Sequence, residues 1–398
     1  MSQLTEKFDV VIIGGAMMGS AIAWFLCNNK DFTGKICVVE QDPSYEFAAT
    51  SRTNSCIRQQ FSKEINIKVS QFGVEFIKNF KSMIGDETAP EIKLDSYGYM
   101  FLSDTDIGAE VLKENQIMQS ECGVGTSILL PEEIKNKFPF YNVSDLVCGS
   151  HNTVNEGYFD GATIFNWWLK TCRKFGVEFI TDEVISMELN SVGTSINNIN
   201  LASGRKIICG TVVNASGTRA SVVAKMINIA IPVEPRRRYS FVFDAEKTLD
   251  GPLPLTIDPS GVHFRSDGQY YLAGCPPEND QPPDLNDFEI DHGVWENKIW
   301  PALINRIPQF DALKVINSWV GHYDYNVLDQ NAILGYHPHV KNFIFANGFS
   351  GHGLQQSPAI GRGISELISY GEYRSLNLSD FSYDRIIKNE PFLERAII

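Results

Sequence analysis

The sequence lacks the features that mark several large protein classes. Its eight cysteines are scattered over 398 residues with no C-x-x-C pair and no regular spacing. That pattern excludes a disulfide framework and a cysteine zinc centre, fits reduced thiols, and leaves no metal site to expect. No apolar run approaches the roughly 18–20 residues that cross a bilayer. Ahead of the first apolar run stands only MSQLTEK, without the hydrophobic stretch of a signal peptide. A cytoplasmic protein with no transmembrane segment is the expectation. Basic residues are in the minority, 34 against 48 acidic ones, for a net charge of −14. A field of that sign repels nucleic acid and anionic lipid, so neither is an expected partner. The one conspicuous basic cluster, Arg236-Arg237-Arg238, reads equally well as a solvated strand start or as an anion site.

What is present begins with composition: 43% hydrophobic residues, enough for two domains or one large one. Residues 8–26, FDVVIIGGAMMGSAIAWFL, organise the rest. An apolar run over 10–13 suits a parallel strand covered by helices on both faces. Gly14 and Gly15 then allow a tight turn, and Gly19 lets a helix pack closely on the strand. The backbone N–H groups between them, through Ala16, Met17 and Met18, would face a pyrophosphate. Ala16 replaces the middle glycine of the G-x-G-x-x-G fingerprint. A second buried strand, residues 35–40, ends in Glu40, 21 residues past Gly19. That is close to the roughly 20 expected for a carboxylate that accepts ribose hydroxyls. Strand, turn, helix, strand and acid together predict a dinucleotide site.

Residues 42–61 are small and polar at first, suited to backbone lying against a flat ligand. Arg58 then stands alone as a cation in SCIRQQF. It reads either as a clamp on a substrate carboxylate, for which guanidinium geometry is suited, or as half of a structural ion pair. Helical spacing predicts helices over 65–80, 107–121, 131–140 and 163–175. Strands are predicted over 93–102, 146–150, 177–181, 184–189 and 206–209. TVVNASG, residues 211–217, repeats the pattern of a buried strand ending in small residues. Between 232 and 320, short alternating strands (239–243, 263–265, 269–273) and Pro/Gly-rich connections predict an antiparallel sheet in an inserted domain. A helix is predicted over 287–306, with Trp295 and Trp300 in packing roles. A last strand, 342–346, leads into NGFSGHGLQQSPAIGRG. Its helix is predicted to start at Ser357-Pro358, with Ile360, Ile364, Leu367 and Ile368 as the apolar face. The start of such a helix brings positive potential to a ligand.

Four segments, DVVIIGGAMMG, VVEQDPSYEFAAT, TVVNASG and GFSGHGLQQSPAIGRG, span nearly the whole chain. In that order the chain resembles the D-amino-acid-oxidase-type FAD oxidoreductases, the family of sarcosine oxidase, glycine oxidase and D-amino-acid dehydrogenases. IRQQFS, PVEPRRRY and WVGHYDYNVLDQNAILG are similar to a mitochondrial FAD-dependent oxidoreductase-domain branch linked to respiratory complex I assembly. The resemblance implies an α/β fold. Residues 1–90, 151–232 and 321–398 would make a Rossmann-like FAD-binding domain on a mostly parallel sheet. Residues 91–150 and 233–320 would make an inserted α+β substrate domain on a mixed or antiparallel sheet.

By the same resemblance Gly14, Gly15, Ala16, Met17, Met18 and Gly19 hold the pyrophosphate, and Glu40 and Gln41 the ribose. Ala49, Thr50 and Ser51 run under the flavin, and Val184 meets the adenine. Ala215, Ser216 and Gly217 form a second turn near the nucleotide. Gly348, Ser350, Gly351, His352, Gly353, Leu354 and Gln355 lie at the pyrimidine edge of the isoalloxazine. Arg58 matches the arginine that binds a substrate carboxylate, and Tyr271, Tyr323 and His352 match residues lining that pocket. Three departures stand out. No lysine occurs in 270–284, where the oxidases place the one that activates dioxygen. Gln355 replaces a second carboxylate-binding lysine. Gly321 stands where a cysteine tethers FAD, so noncovalent FAD is expected.

The implied activity is oxidation of the C–N bond of a small carboxylated amine. Hydride passes to flavin N5, and the resulting imine is hydrolysed. Sarcosine-like secondary amino acids come first, with D-amino acids or opine-type substrates as the alternative. A respiratory-complex assembly factor that keeps FAD without turnover is the rival from another class. The electron acceptor, whether dioxygen, an electron-transfer flavoprotein or a quinone, stays open.

Overall fold

The computed structural model describes residues 6–396, so most of the MSQLTEK lead lies outside it. The opening strand, Glu6–Ile13, runs parallel between Ile36–Glu40 and Lys206–Asn214. Glu178–Thr181 extends this sheet beyond Ile36–Glu40, and Phe343–Asn347 extends it beyond Lys206–Asn214, both again parallel. Val11, Ile12 and Val38 are fully buried, as strands covered on both faces require. The stretches 206–209 and 211–214 are one strand and not two. Gly210 lies inside that strand, at a point where a Cβ would meet the Asp9 carbonyl at 2.5 Å, so only glycine fits there. An unexpected strand, Ile196–Leu201, pairs antiparallel with Val184–Leu189. Its sequence INNINL has poor strand propensity, but Asn198 and Asn200 both donate to Glu188 across the hairpin.

A second eight-stranded sheet runs in the order Leu313–Asn326, Val233–Ala245, Tyr270–Cys275, His263–Asp267, Leu255–Ile257, Tyr99–Ser103, Cys148–Asn152, Ser127–Leu129. All its pairings are antiparallel except that of Leu255–Ile257 with Tyr99–Ser103. The strand expected over 93–102 is split at Gly98, which sits at φ +90. Leu94–Asp95 joins a small third sheet with Gly157–Phe159 and Cys56–Ile57. The helix expected over 287–306 forms only in its second half, as the wide turn Trp295–Ile299 followed by Trp300–Arg306. Residues ahead of it are drawn into a loop in which Asp287 pairs with Arg237. Trp295 packs on Phe241 and Phe243, and Trp300 donates its indole N–H to the Phe310 carbonyl.

The last long helix, Gly353–Tyr370, begins one turn earlier than Ser357-Pro358. Pro358 has no N–H for the Leu354 carbonyl, and the Ser357 hydroxyl donates to that carbonyl at 2.7 Å instead. Ile360, Ile364 and Leu367 are buried, each worth about 1.5–3 kcal/mol, while Ile368 is only partly covered. This helix lies close against the first, Met17–Asn28: a Cβ on Gly361 would come within 2.9 Å of Ala21. No helix among the described residues is long and apolar enough to cross a membrane.

Candidate active site

One cavity of about 840 Å³ draws its lining from both large sheets and from the starts of both of those helices. Its nucleotide end is built mostly of backbone. Gly14 sits at φ +97, and a methyl there would come within 2.4 Å of the Ala215 carbonyl. A methyl on Gly19 would lie 1.9 Å from the Gly14 carbonyl, so only glycine lets the helix start against the strand. The first helix has no side-chain cap and no acid in its first turn, which leaves its positive end facing the cavity. Thr50 accepts the Met17 N–H at 3.1 Å. The Glu40 carboxylate accepts the Gly15 N–H at 2.8 Å and the Asp42 N–H at 2.9 Å. Burial pushes this carboxyl above its ordinary value, and those two N–H groups pull it back. Ala16, Met18, Gln41, Ala49, Val184, Ala215, Ser216 and Gly217 line the same end.

The other end is assembled from buried side chains and a strained loop. Gly348, Ser350 and Gly351 all have positive φ. Asp324, on the strand Leu313–Asn326 of the second sheet, takes the N–H groups of Gly348 (2.8 Å) and Phe349 (3.1 Å) on one oxygen. Burial raises this carboxyl from 3.8 to about 6 against the pull of those N–H groups. Asn326 donates its N–H to Ser350 Oγ at 3.0 Å. Gly351 lies against Tyr323, where a Cβ would come within 2.5 Å of the ring. Gly353, Leu354 and Gln355 present the start of the last helix, again uncapped by a side chain.

Arg58 is fully buried at the wall of this end. Its Nη1 donates to the Gln60 carbonyl, and its Nη2 donates to His352 Nε2 (2.9 Å) and to the Ala396 carbonyl. The guanidinium lies 4.1 Å from the centre of the Phe61 ring. Among the described residues no carboxylate comes within ion-pair distance of it. Glu156, one of the acids that acts on it, is held by Gln59 and Gln60, and burial pushes its carboxyl up to about 7. Desolvation also holds His352 well below its ordinary value, with Arg58 adding to the effect. Neutral His352 therefore serves as the acceptor for Arg58. Gln355 Oε1 accepts the Arg58 backbone N–H at 3.0 Å.

Several expected site residues lie off the cavity. Tyr271 belongs to the second core: its hydroxyl accepts the Leu249 N–H at 2.9 Å, and its ring stacks on Phe243. Strand alternation decides this, because Tyr271, Ala273 and Cys275 share the core-facing side. Gly15, Gly19 and Gly348 shape the turns behind the lining, and Ser51 is exposed. Gly321 packs on Arg52, whose Cβ a methyl there would approach to 2.9 Å. The basic cluster is spent on ion pairs, Arg236 with Glu234, Arg237 with Asp287 and Arg238 with Asp280. Asp324, Asn54 and His263 also line the cavity, outside every motif of the sequence that points to a site. The buried Asp324 inside HYDYN was the readable hint, since an acid between aromatic residues on a strand needs donors. Asn54 and His263 join through a 2.9 Å contact across 209 positions, which no local pattern signals.

A turn that only glycine fits, two helix starts without acids in their first turns and the Glu40 carboxylate suit a dinucleotide, and these residues fit FAD. The family model for FAD dependent oxidoreductases (DAO) matches residues 9–367, and the chain belongs to that family. It is similar to FAD-dependent oxidoreductase domain-containing protein 1 of Xenopus laevis, at 38% identity over 99% of this chain and 85% of that protein. It is also similar to human mitochondrial dimethylglycine dehydrogenase, at 24% identity over 93% of this chain and 43% of that one. Among solved structures, L-proline dehydrogenase from P. horikoshii superposes with a TM-score of 0.83 at 25% identity, covering 98% of this chain and 100% of that one. The protein is thus an FAD-dependent oxidoreductase with amino-acid oxidases and dehydrogenases as structural neighbours.

Proposed function

We propose that the chain oxidises the C–N bond of a small carboxylated amine, a secondary amino acid of the sarcosine kind. The observation that carries this reading is Arg58. A guanidinium buried beside a cavity, with no acid among the described residues in ion-pair reach, is costly unless an anion joins it, and a carboxylate matches its fork. The similar proteins named for dimethylglycine and L-proline also act on amines that carry a carboxylate. A bound flavin supplies the acceptor for the hydrogen and electron pair that leave the substrate C–H.

The chain supplies orientation. Arg58 holds the carboxylate, His352 and Gln355 hold Arg58, and Tyr323 against Gly351 narrows the slot. Neutral His352 adds no positive charge near the amine, which favours the unprotonated amine that can be oxidised. Water then hydrolyses the imine product. A dehydrogenase fits better than an oxidase, because 270–284 contains no lysine and nearby Lys298 donates to the Pro276 carbonyl away from the cavity lining. FAD is held noncovalently in this reading: the Cys56 thiol is pushed up by burial and donates to the Asn54 carbonyl.

Anaerobic mixing of the FAD-loaded protein with a panel of carboxylated amines tests the proposal through the flavin's visible absorbance. Bleaching by a secondary amino acid, and not by its descarboxy analogue, is expected. A flavin that stays oxidised across the panel would sink it.

A further inference from the structure

Arg58 is covered by the chain's own C-terminal segment, and its hydrogen count shows what that cover does. A guanidinium offers a carboxylate two bidentate forks, Nη1 with Nη2 and Nε with Nη2, and both use Nη2. Both Nη2 hydrogens are already spent, one on His352 Nε2 and one on the Ala396 carbonyl. Bidentate capture of a carboxylate therefore requires one of those acceptors to leave. The His352 backbone N–H donates to the Phe349 carbonyl at 2.9 Å, its backbone carbonyl accepts the Gln356 N–H at 3.1 Å, and its ring packs edge-on against Phe61. Residues 391–396 carry no helix or strand, and the Ala396 N–H is held by Glu394.

The fastening is specific. One Glu394 oxygen accepts the N–H groups of Ser62 (2.8 Å) and Ala396 (2.9 Å), and the other accepts the Asn66 amide at 2.9 Å. The Glu394 N–H donates to the Asp329 carbonyl at 3.0 Å, and the Arg395 N–H donates to Ser62 Oγ at 2.8 Å. Glu394 itself is almost completely buried. The segment is thus pinned at Glu394 while its next carbonyl but one rests on the guanidinium. A carbonyl is a weaker partner for that cation than a carboxylate, whose charge-assisted bonds are roughly twice as strong.

We propose that residues 394–396 form a strap over Arg58, in which the Ala396 carbonyl gives way when a carboxylate ligand takes Nη2. This rests on the reading of Arg58 as the carboxylate site. Carboxylate binding and strap release are then one exchange at one nitrogen, and Glu394 sets how readily it occurs.

Hydrogen exchange of the FAD-loaded full chain, with and without saturating acetate, tests this directly. Amide exchange in the peptide containing Arg395 and Ala396 should accelerate about tenfold with acetate, as local opening predicts. Unchanged or slower exchange overturns the strap. A second arm follows acetate binding through perturbation of the flavin spectrum. Glu394→Gln puts an amide where Asn66 already donates, so it loosens the pin while keeping the Ser62 and Ala396 bonds. Acetate should then associate about fivefold faster, a change within the range of a lost hydrogen bond. Slower or weaker binding would mean that the segment positions Arg58 and does not cover it, and would also overturn the proposal. Arg58→Ala separates the two readings. If acetate still binds to it with wild-type affinity, the carboxylate site itself is wrong. If binding is lost but exchange in the strap of the wild-type chain ignores acetate, only the strap is wrong.

Discussion

At the nucleotide end of the cavity, the groups that matter are backbone amides and the glycines that let them approach. They come from one continuous stretch with help from Glu40, Thr50 and the Ala215 turn. At the other end they are buried ionisable side chains, Arg58, His352 and Asp324, brought from three separate segments, of which only that of Asp324 is a sheet strand. The first end is written in spacing and is intolerant of volume. The second is written in partners and is sensitive to charge. A dinucleotide has the same phosphates wherever it binds, so fixed amides suffice for it. A substrate differs from enzyme to enzyme, and side chains drawn from separate segments are what can change.

That contrast makes graded predictions. Gly19→Ala should have the largest effect. Its methyl would lie 1.9 Å from the Gly14 carbonyl, forcing helix and strand apart at a cost of about 3 kcal/mol or more. The purified variant should carry almost no flavin and melt early, and a normal flavin-to-protein ratio would break the idea that this end is limited by volume. Arg58→Ala should do the reverse. Flavin content stays normal, while KM for a carboxylated amine rises about 100-fold, the usual scale for losing a buried charged contact. Loss of flavin with unchanged KM would place Arg58 with the nucleotide end.

Asp324→Asn probes charge where volume is unchanged. Because burial raises the carboxyl from 3.8 to about 6, the folded state binds the proton more tightly than the unfolded chain. The group's stabilising contribution is fully present below about pH 4 and is lost as pH rises through about 6. The asparagine variant should therefore show a flatter stability curve across that window, read by denaturant unfolding at several pH values. A curve parallel to that of wild type would show that Asp324 does not titrate there. Thr50→Ala should have the smallest effect. Losing the acceptor for the Met17 N–H costs about 1 kcal/mol, or about fivefold in FAD dissociation constant. A titration of apoprotein with FAD measures it.

The parts of the fold that could be read in advance are those in which a residue's neighbours along the chain decide its state. Gly14, Gly19 and Glu40 fall into this group, as do the VVII and ICVV runs on either side of the first helix. Where a distant partner decided, the reading slipped. Gly210 reads locally as a strand end, yet the strand Lys206–Asn214 runs through it, tight against the Asp9 carbonyl. Ser357-Pro358 reads locally as a helix start, although the serine hydroxyl lets the proline sit inside the helix. The resemblance puts Tyr271 in the pocket, and strand alternation turns it into the core.

By itself the sequence determined the cofactor end: a strand, a glycine turn, a helix start and an acid at a set distance. A pyrophosphate needs little more than converging amides, and those follow from local backbone geometry. Tertiary structure alone decided what Arg58 faces. A buried cation's role depends on which groups come near it through space. Among the described residues no carboxylate reaches ion-pair distance of Arg58, while a histidine 294 positions away and the Ala396 carbonyl contact it directly. Local pattern carries no information about desolvation or about partners hundreds of residues distant. The packing of the two sheets against one cavity supplies both.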